Sequence, residues 1–172
     1  MMFQNVGALC QRGALDGATA PVALVTTFDS GKKGASVTLS DTDHTATNAA
    51  SAGAVLVVDA MPAYAVTLTF TVVDSTNRGF IGVANSSISY NAAIGADTNG
   101  WSYVDTGSKR TNNGDTAYGA SWAAGDVIVA TYNAGSLSFS KNGADQGVAF
   151  TGLSGTLYFG WSNNLAGSVT IS

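Results

Sequence analysis

Apolar and polar side chains alternate with a period of two along most of this chain, most clearly between residues 125 and 150. Apolar and β-branched residues dominate positions 127–132, and after the turn at 133–135 Leu137 and Phe139 alternate with serines. A period of two places successive side chains on opposite faces of a strand. Asn and Gly also tolerate the positive φ of tight hairpin turns. The pattern therefore predicts a β-hairpin leading into a third strand, with these core side chains: Val127, Val129, Leu137, Phe139 and Phe150.

Strand patterns of this kind recur from residue 22 to the end of the chain, separated by turn residues. Glu is absent and Lys and Arg total only 7, so helix formers are scarce. The 21 glycines and a hydrophobic content of 45% suit one domain with a sizeable core and many turns. We predict an all-β fold of two packed antiparallel sheets with less than about 10% helix. The candidate strands are 22–28, 35–40, 45–48, 54–59, 64–73, 79–85, 101–104, 126–132, 136–140, 146–150, 156–161 and 167–171.

The first 21 residues differ from this pattern. Phe3, Val6 and Leu9 are apolar enough to be buried, but glycines recur through the segment and argue against a long helix. Pro21 marks a boundary before the first candidate strand. We expect residues 1–21 to be an irregular arm that attaches to another subunit and residues 22–172 to be a single β-sandwich domain. A disordered or self-packed terminus is the alternative for the arm.

Charge and composition exclude several classes of partner. The formal net charge is -4 and the basic residues are dispersed, so no basic patch for nucleic acid is expected. No apolar run approaches the roughly 20 residues needed to cross a bilayer, and the first 20 residues lack the pattern of a signal peptide. We therefore expect no membrane insertion and no export by a signal peptide. Cys10 is the single cysteine, which excludes an internal disulfide.

Candidate catalytic and metal-binding residues are few. Glycoside hydrolysis needs two carboxyl groups at a defined separation, whereas the acids here are all Asp and stand mostly in predicted turns. Asp41, Asp43 and His44 form the densest group, and a solvated turn explains them as well as a catalytic or metal site does. Calcium binding is left open for the loops at 96–100 and 111–115, although neither has the ligand spacing of a dedicated calcium loop. We expect no cofactor and no enzymatic activity.

Aromatic residues beside Asn-rich loops mark a candidate ligand site. A flat ring next to amide donors and acceptors suits the apolar face and the hydroxyl edge of a sugar. The alternative is that these rings close the ends of the core, as we expect for Trp122 and Phe139. The candidate ligand-binding residues are Tyr90, Trp101, Tyr103, Asn112, Asn113, Trp161 and Asn163.

The run at 125–150 resembles the C-terminal half of SPRY domains, which belong to the wider group of concanavalin A-like sandwiches. The shared pattern is a GD-V-I strand, an L-S-F strand, an N-G turn and a G-x-A-F strand. Residues 79–84 resemble the G-x-x-G-V-A strand of the family, and the resemblance extends over about residues 35–172. The Trp-Glu pair that SPRY domains usually carry in the strand at 64–68 is missing here, so partner specificities of animal SPRY domains do not transfer.

The resemblance and the composition together suggest a function. A short, Ser-, Thr-, Ala- and Gly-rich chain with few lysines and an N-terminal arm resembles phage virion proteins. This likeness implies a non-enzymatic virion surface component, such as a capsid decoration, head fibre or tail-tip protein. Its expected partners are other virion subunits, further copies of itself and, as a candidate ligand, a host-surface glycan. The alternative is a bacterial carbohydrate- or protein-binding module outside a virion, and a glycan-active enzyme ranks third.

Overall fold

In the part of the chain that the structure describes, the segments with period-two alternation form β-strands. The structure is a computed structural model that describes residues 26–76 and 78–172. Within those ranges there are fourteen strands and no helix. The strands are β1 Phe28–Lys33, β2 Val37–Ser40, β3 Thr45–Asn48, β4 Gly53–Val57, β5 Val66–Ser75, β6 Gly79–Ala84, β7 Gly100–Val104, β8 Ser108–Thr111, β9 Gly114–Ala117, β10 Val127–Asn133, β11 Ser136–Lys141, β12 Ala144–Phe150, β13 Tyr158–Asn163 and β14 Gly167–Ile171.

The strands form two seven-stranded sheets packed face to face. Sheet I has the order β1-β4-β13-β6-β7-β8-β9, and sheet II has the order β12-β11-β10-β5-β14-β3-β2. Every paired strand runs antiparallel to its neighbour. The predicted two-sheet antiparallel β-sandwich is therefore confirmed. The predicted arm, residues 1–21, lies outside the described residues, as does most of the candidate strand at 22–28.

The core lies between the two sheets and is built from alternate residues of each strand. In sheet II, Leu68, Phe70 and Val72 of β5 are at most 2% exposed. Phe159 and Trp161 of β13 lie opposite them in sheet I and are each 1% exposed. Since successive side chains point to opposite faces, the intervening threonines of β5 face outward. The inward and outward residues of β5 thus follow the alternation seen in the sequence.

Strands β4 and β6 of sheet I are covered on their outer face as well. All residues of β4 and β6 are buried, because the connection between β6 and β7, residues 85–99, lies across the sheet. Ile88 and Ile94 of this connection pack on alanines and a leucine of β4 and β6 in a second apolar cluster. The backbone N–H of Ile94 donates to Ser162 Oγ at 2.8 Å, and Ser102 Oγ donates to the Ile94 carbonyl at 2.8 Å. The connection is therefore a fixed outer layer of the sandwich.

The face of β10 was predicted incorrectly. Its buried side chains are Ile128, Ala130 and Tyr132, whereas Val127 and Val129 are half-buried on the outer face. Both faces of this strand carry apolar residues, so alternation alone did not distinguish them, and a shift of one residue exchanges the two faces. The prediction holds for Leu137 and Phe139, which are at most 1% exposed, while Phe150 is half-buried at the margin of the core.

The hairpin β8–β9 was not among the predicted strands. It lies at the edge of sheet I, and all four residues of β9 are exposed. An edge hairpin buries little apolar surface, so its sequence lacks the alternation that reveals a strand. The turn residues Asn112 and Asn113 were the available signal, because both adopt a positive φ, 47° and 61°, as the turn of a short hairpin requires.

We predict that Phe139→Ala destabilises the protein by about 3 to 5 kcal/mol, the range for deleting a buried aromatic side chain. Phe139 lies in the core with its ring centroid 5.3 Å from that of Tyr103 and 6.1 Å from that of Tyr118. The measurement is the free energy of unfolding from urea denaturation. Val148→Ala is the control, since Val148 is 57% exposed and its truncation should cost less than about 0.5 kcal/mol. Equal stability of the two variants would contradict the assignment of the core face.

Candidate functional site

Three of the predicted ligand-binding side chains lie in the interior. Tyr103 and Asn163 are 0% exposed and Trp161 is 1% exposed. The two rings point into the main core from β7 and β13. An exposed binding role is therefore wrong for these three residues. The alternative reading, that the rings belong to the sandwich core, is correct for Tyr103 and Trp161.

Tyr90 and Trp101 are half-buried, but they lie on opposite faces of sheet I. Tyr90 packs against the outer apolar cluster, and its hydroxyl donates to the Ser86 carbonyl at 3.4 Å. Trp101 packs against the main core between the sheets. The two rings therefore do not form one platform for a sugar.

Asn112 and Asn113 are exposed at the tip of the β8–β9 hairpin, where a polar cluster surrounds them. Their backbone N–H groups donate to the carbonyls of Asp97 and Gly95, each at 2.9 Å. These carbonyls belong to the outer layer formed by residues 85–99. The turn is thus anchored from two sides, by its own strands and by the layer that covers sheet I.

We call Arg78, Arg110, Asn113 and Asp115 the arginine cluster. Arg110 of β8 and Asp115 of β9 are cross-strand partners, and Arg110 Nη1 donates to Asp115 Oδ1 at 2.6 Å. Arg78, just before β6, forms an ion pair with Asp115 Oδ2. Arg110 Nη2 donates to Asn113 Oδ1. One carboxylate therefore holds two guanidinium groups together, and one of these also positions an amide of the exposed turn.

Phe80 forms the floor of the arginine cluster. Its ring is 0% exposed, and the guanidinium carbons of Arg78 and Arg110 lie 5.7 and 5.8 Å from the ring centroid. Guanidinium groups are attracted to aromatic faces at this distance. The buried ring and the shared carboxylate together restrict the orientation of both arginines.

The electrostatics of Asp115 favour its charged form. Burial alone would raise the pKa of this carboxyl, but the hydrogen bonds and charges of Arg110 and Arg78 outweigh it and hold the pKa below its ordinary value. The Nε atoms of both arginines are buried and have no hydrogen-bond partner among the described residues. The cluster therefore has more donor groups than its own acceptors use.

Other polar groups considered from the sequence are arranged as turns. Asp41, Thr42 and Asp43 all have positive φ and are exposed in the β2–β3 turn. Asp97 Oδ1 accepts from the Asn99 backbone N–H at 2.8 Å, which is ordinary turn chemistry. In the described ranges, no three His, Cys, Asp or Glu side chains are grouped as metal ligands. The same ranges contain no helix that is long and apolar enough to span a membrane.

Comparison with known proteins identifies the family. The family model described as "SPRY domain" matches residues 64–167, which is more than half of the chain. This chain belongs to the SPRY domain family. Membership indicates a protein-interaction or binding module, and the comparison with curated protein sequences gives no match.

Solved structures show the same sandwich at low sequence identity. The SPRY domain of human HERC1 has a TM-score of 0.73 and 20% identity, with 84% of this chain and 96% of that chain covered. A human SPRY domain has a TM-score of 0.68 and 15% identity, over 79% and 94% of the two chains. Stonustoxin has a TM-score of 0.69 and 15% identity. The match covers 85% of this chain but only 26% of the toxin chain. At these identities the likeness establishes the fold.

Sequence reasoning found only part of the polar site on this SPRY domain. It named Asn112 and Asn113 as ligand-binding residues and placed Asp115 in a candidate calcium loop, but it named none of Arg78, Phe80 and Arg110 as site residues. The adjacent basic pair Lys109-Arg110 and the turn at 111–115 were available as local signals. Arg78 lies 37 residues from Asp115 in the chain, so no local pattern connects these two residues.

We predict that Asp115→Asn destabilises this SPRY domain by about 0.5 to 2 kcal/mol at neutral pH, the sum for two partly exposed ion pairs. Because the folded pKa of Asp115 is depressed, its contribution is complete above the unfolded pKa of about 4 and is lost as pH falls through the folded pKa. The difference in unfolding free energy between the wild type and the variant should therefore be constant from pH 6 to 8 and shrink below about pH 4.

Asp43→Asn is the matched control for this pH series. Asp43 is exposed, forms no ion pair with a described residue and has a φ of 65°, which Asn tolerates. Because its substitution removes no ion pair with a described residue, it should change stability little. A wild-type advantage over Asp115→Asn that stayed constant down to pH 2 would contradict the electrostatic role of Asp115.

Proposed function

We propose that this SPRY domain belongs to a non-enzymatic structural protein of a phage virion, such as a capsid decoration, head fibre or tail-tip component. The supporting observation is the extent of the sandwich. Residues 28–171 supply all fourteen described strands and both sheets. Segment 1–21 lies outside the described residues, and its attachment to the particle is proposed from its apolar residues.

The proposed attachment uses the apolar residues Phe3, Val6 and Leu9, which lie outside the described residues. Full burial of such a side chain stabilises a contact by about 1.5 to 3 kcal/mol, and ordering the segment costs part of that gain. A few anchors per chain therefore hold well only when several copies act together. A homo-oligomer or a lattice of equivalent sites on a virion surface supplies that multiplicity.

The face proposed to bind a host-surface glycan is the arginine cluster with Asn112. It is a partly exposed group of charged and amide side chains. Arg110 and Asp115 lie on strands, Asn112 and Asn113 lie on an anchored turn, and Arg78 directly precedes β6. Sugars are recognised by such fixed donors and acceptors, because rigid groups lose little entropy on binding. The membership of the chain in a family of binding modules also supports a binding role for this surface.

A bacterial carbohydrate- or protein-binding module outside a virion is the second candidate. SPRY family membership favours it equally, since it indicates binding without specifying a particle. The two candidates differ in their genetic and physical setting. Neighbouring genes for capsid or tail proteins and copurification with particles support the virion component, whereas their absence supports the isolated module.

We predict that a variant beginning at Pro21 stays folded and soluble but no longer joins its particle or oligomer. The physical reason is that the truncation removes the apolar anchors but no described strand. Thermal unfolding measures folding, and sedimentation with particles or analytical ultracentrifugation measures assembly. Replacing Phe3, Val6 and Leu9 together by Ser in the full chain should reproduce the loss of assembly.

Two outcomes would contradict the proposal. Unfolding of the truncated variant would show that segment 1–21 is part of the sandwich. Normal assembly of the truncated variant would place the attachment surface on the β domain.

A further inference from the structure

The arginine cluster offers more hydrogen-bond donors than its neighbours accept. Each oxygen of Asp115 accepts from one guanidinium, and Asn113 Oδ1 accepts from Arg110. A guanidinium carries five N–H donors, so two arginines present ten. The Nε of each arginine is buried, so the donors left for a ligand are the terminal Nη N–H groups that Asp115 and Asn113 do not use. The cluster is therefore suited to receive an additional acceptor.

The other carboxylates near the cluster are directed at backbone amides. Asp97 Oδ1 accepts from Asn99 N at 2.8 Å, and Asp105 Oδ2 accepts from Gly79 N at 2.8 Å. Neither forms an ion pair with Arg78 or Arg110. Among the described residues, Asp115 is thus the carboxylate that pairs with both arginines. A carboxylate from a ligand would be a second anionic partner for them.

Exposure differs between the two arginines in a way that defines their roles. The Arg110 side chain is 12% exposed and is held by Asp115 and Asn113. The Arg78 side chain is 35% exposed and forms an ion pair with Asp115 as its one partner among the described residues. Arg78 is therefore the group that an arriving ligand reaches first. Phe80 and Asp115 restrict its guanidinium in advance, which lowers the entropy lost on binding.

We infer that the arginine cluster binds the carboxylate of an acidic sugar, such as a uronic acid unit of a surface polysaccharide. The planar guanidinium of Arg78 matches a carboxylate with two parallel hydrogen bonds. Asn113, whose Oδ1 accepts from Arg110, and the neighbouring Asn112 are exposed at the turn and supply amide groups for the sugar hydroxyls. This inference rests on the proposed glycan-binding function and specifies its ligand class. A neutral sugar would offer no anionic acceptor to the Arg78 donors that Asp115 does not use.

The test compares two probes that share the same sugar rings and linkages, one with charged carboxylates and one with neutral ester groups. Trigalacturonic acid and its methyl ester are titrated into the ¹⁵N-labelled full-length protein, with backbone amide shifts as the readout. We expect the acid to shift amides of residues 78–80, 95–97 and 110–115 and to bind at least about tenfold more tightly than the ester, as expected for a charge-assisted hydrogen bond. Added salt should weaken the binding of the acid.

Matched variants separate binding from stability. Arg78→Gln should weaken the binding of the acid at least about tenfold. Arg78→Lys keeps the charge but loses the paired hydrogen bonds, so we expect it to fall between the wild type and Arg78→Gln. Lys141→Gln is the control, because Lys141 also forms one partly exposed ion pair, with Asp126 at 3.1 Å, and it should bind as the wild type does. Unchanged amide shifts in distant strands verify that each variant is folded.

The outcomes distinguish failure of this inference from failure of the proposed function. Equal binding of acid and ester, or binding of neutral glycans alone on an array, overturns the acidic ligand class and leaves glycan binding standing. Acetate that shifts the same amides at the same carboxylate concentration overturns a sugar site in favour of a simple anion site. Absence of binding to both acidic and neutral glycans overturns the inference and the proposed glycan function together.

Discussion

The burial of the sheet I strands β4 and β6 on both faces is the constraint on which the rest of the structure depends. Their inner face closes the main core, and their outer face carries the apolar side chains of Ala54, Leu56 and Ala84. Residues 85–99 must therefore lie across it, held by Ile88, Ile94 and the hydrogen bonds to Ser162 and Ser102. The same layer presents the carbonyls of Gly95 and Asp97 to the Asn112–Asn113 turn. The apolar packing of one face thus positions the polar site at its margin.

The arginine cluster contributes more to geometry than to stability. Partly exposed ion pairs are worth about 0.2 to 1 kcal/mol each, and exposed cation–π contacts add about 0.5 to 1 kcal/mol. These values are small beside the burial of the core aromatics. What the cluster supplies is orientation, since a buried ring and a shared carboxylate restrict both guanidinium groups. Arg78 also has a φ of 62°, a conformation that is unfavourable for a residue other than Gly, Asn or Asp and that the surrounding contacts maintain.

Kinship to SPRY domains explains the scaffold and leaves its specificity to local residues. Structures at 15% to 20% identity share the sandwich, because many different side chains fill a core of the same size and pattern. The Trp-Glu pair usual in the family is missing from the segment 64–68, and the fold persists with Leu68 and Phe70 buried. Function on such a scaffold depends on the residues displayed at its surface.

The sequence alone determined the fold class, most strand positions and much of the core, because alternation and turn chemistry are local properties of the chain. Strands β3 and β14 were predicted to the residue. Tertiary structure decided what local pattern leaves ambiguous or silent. In strand β10, Ile128 lies in the core and Val127 and Val129 lie on the outer face, because only packing against the opposite sheet distinguishes two apolar faces. Tertiary structure also buried Tyr103, Trp161 and Asn163, and it joined Arg78 to Asp115 across 37 residues. The site arises from contacts between distant segments, and such contacts exist only once both sheets are in place.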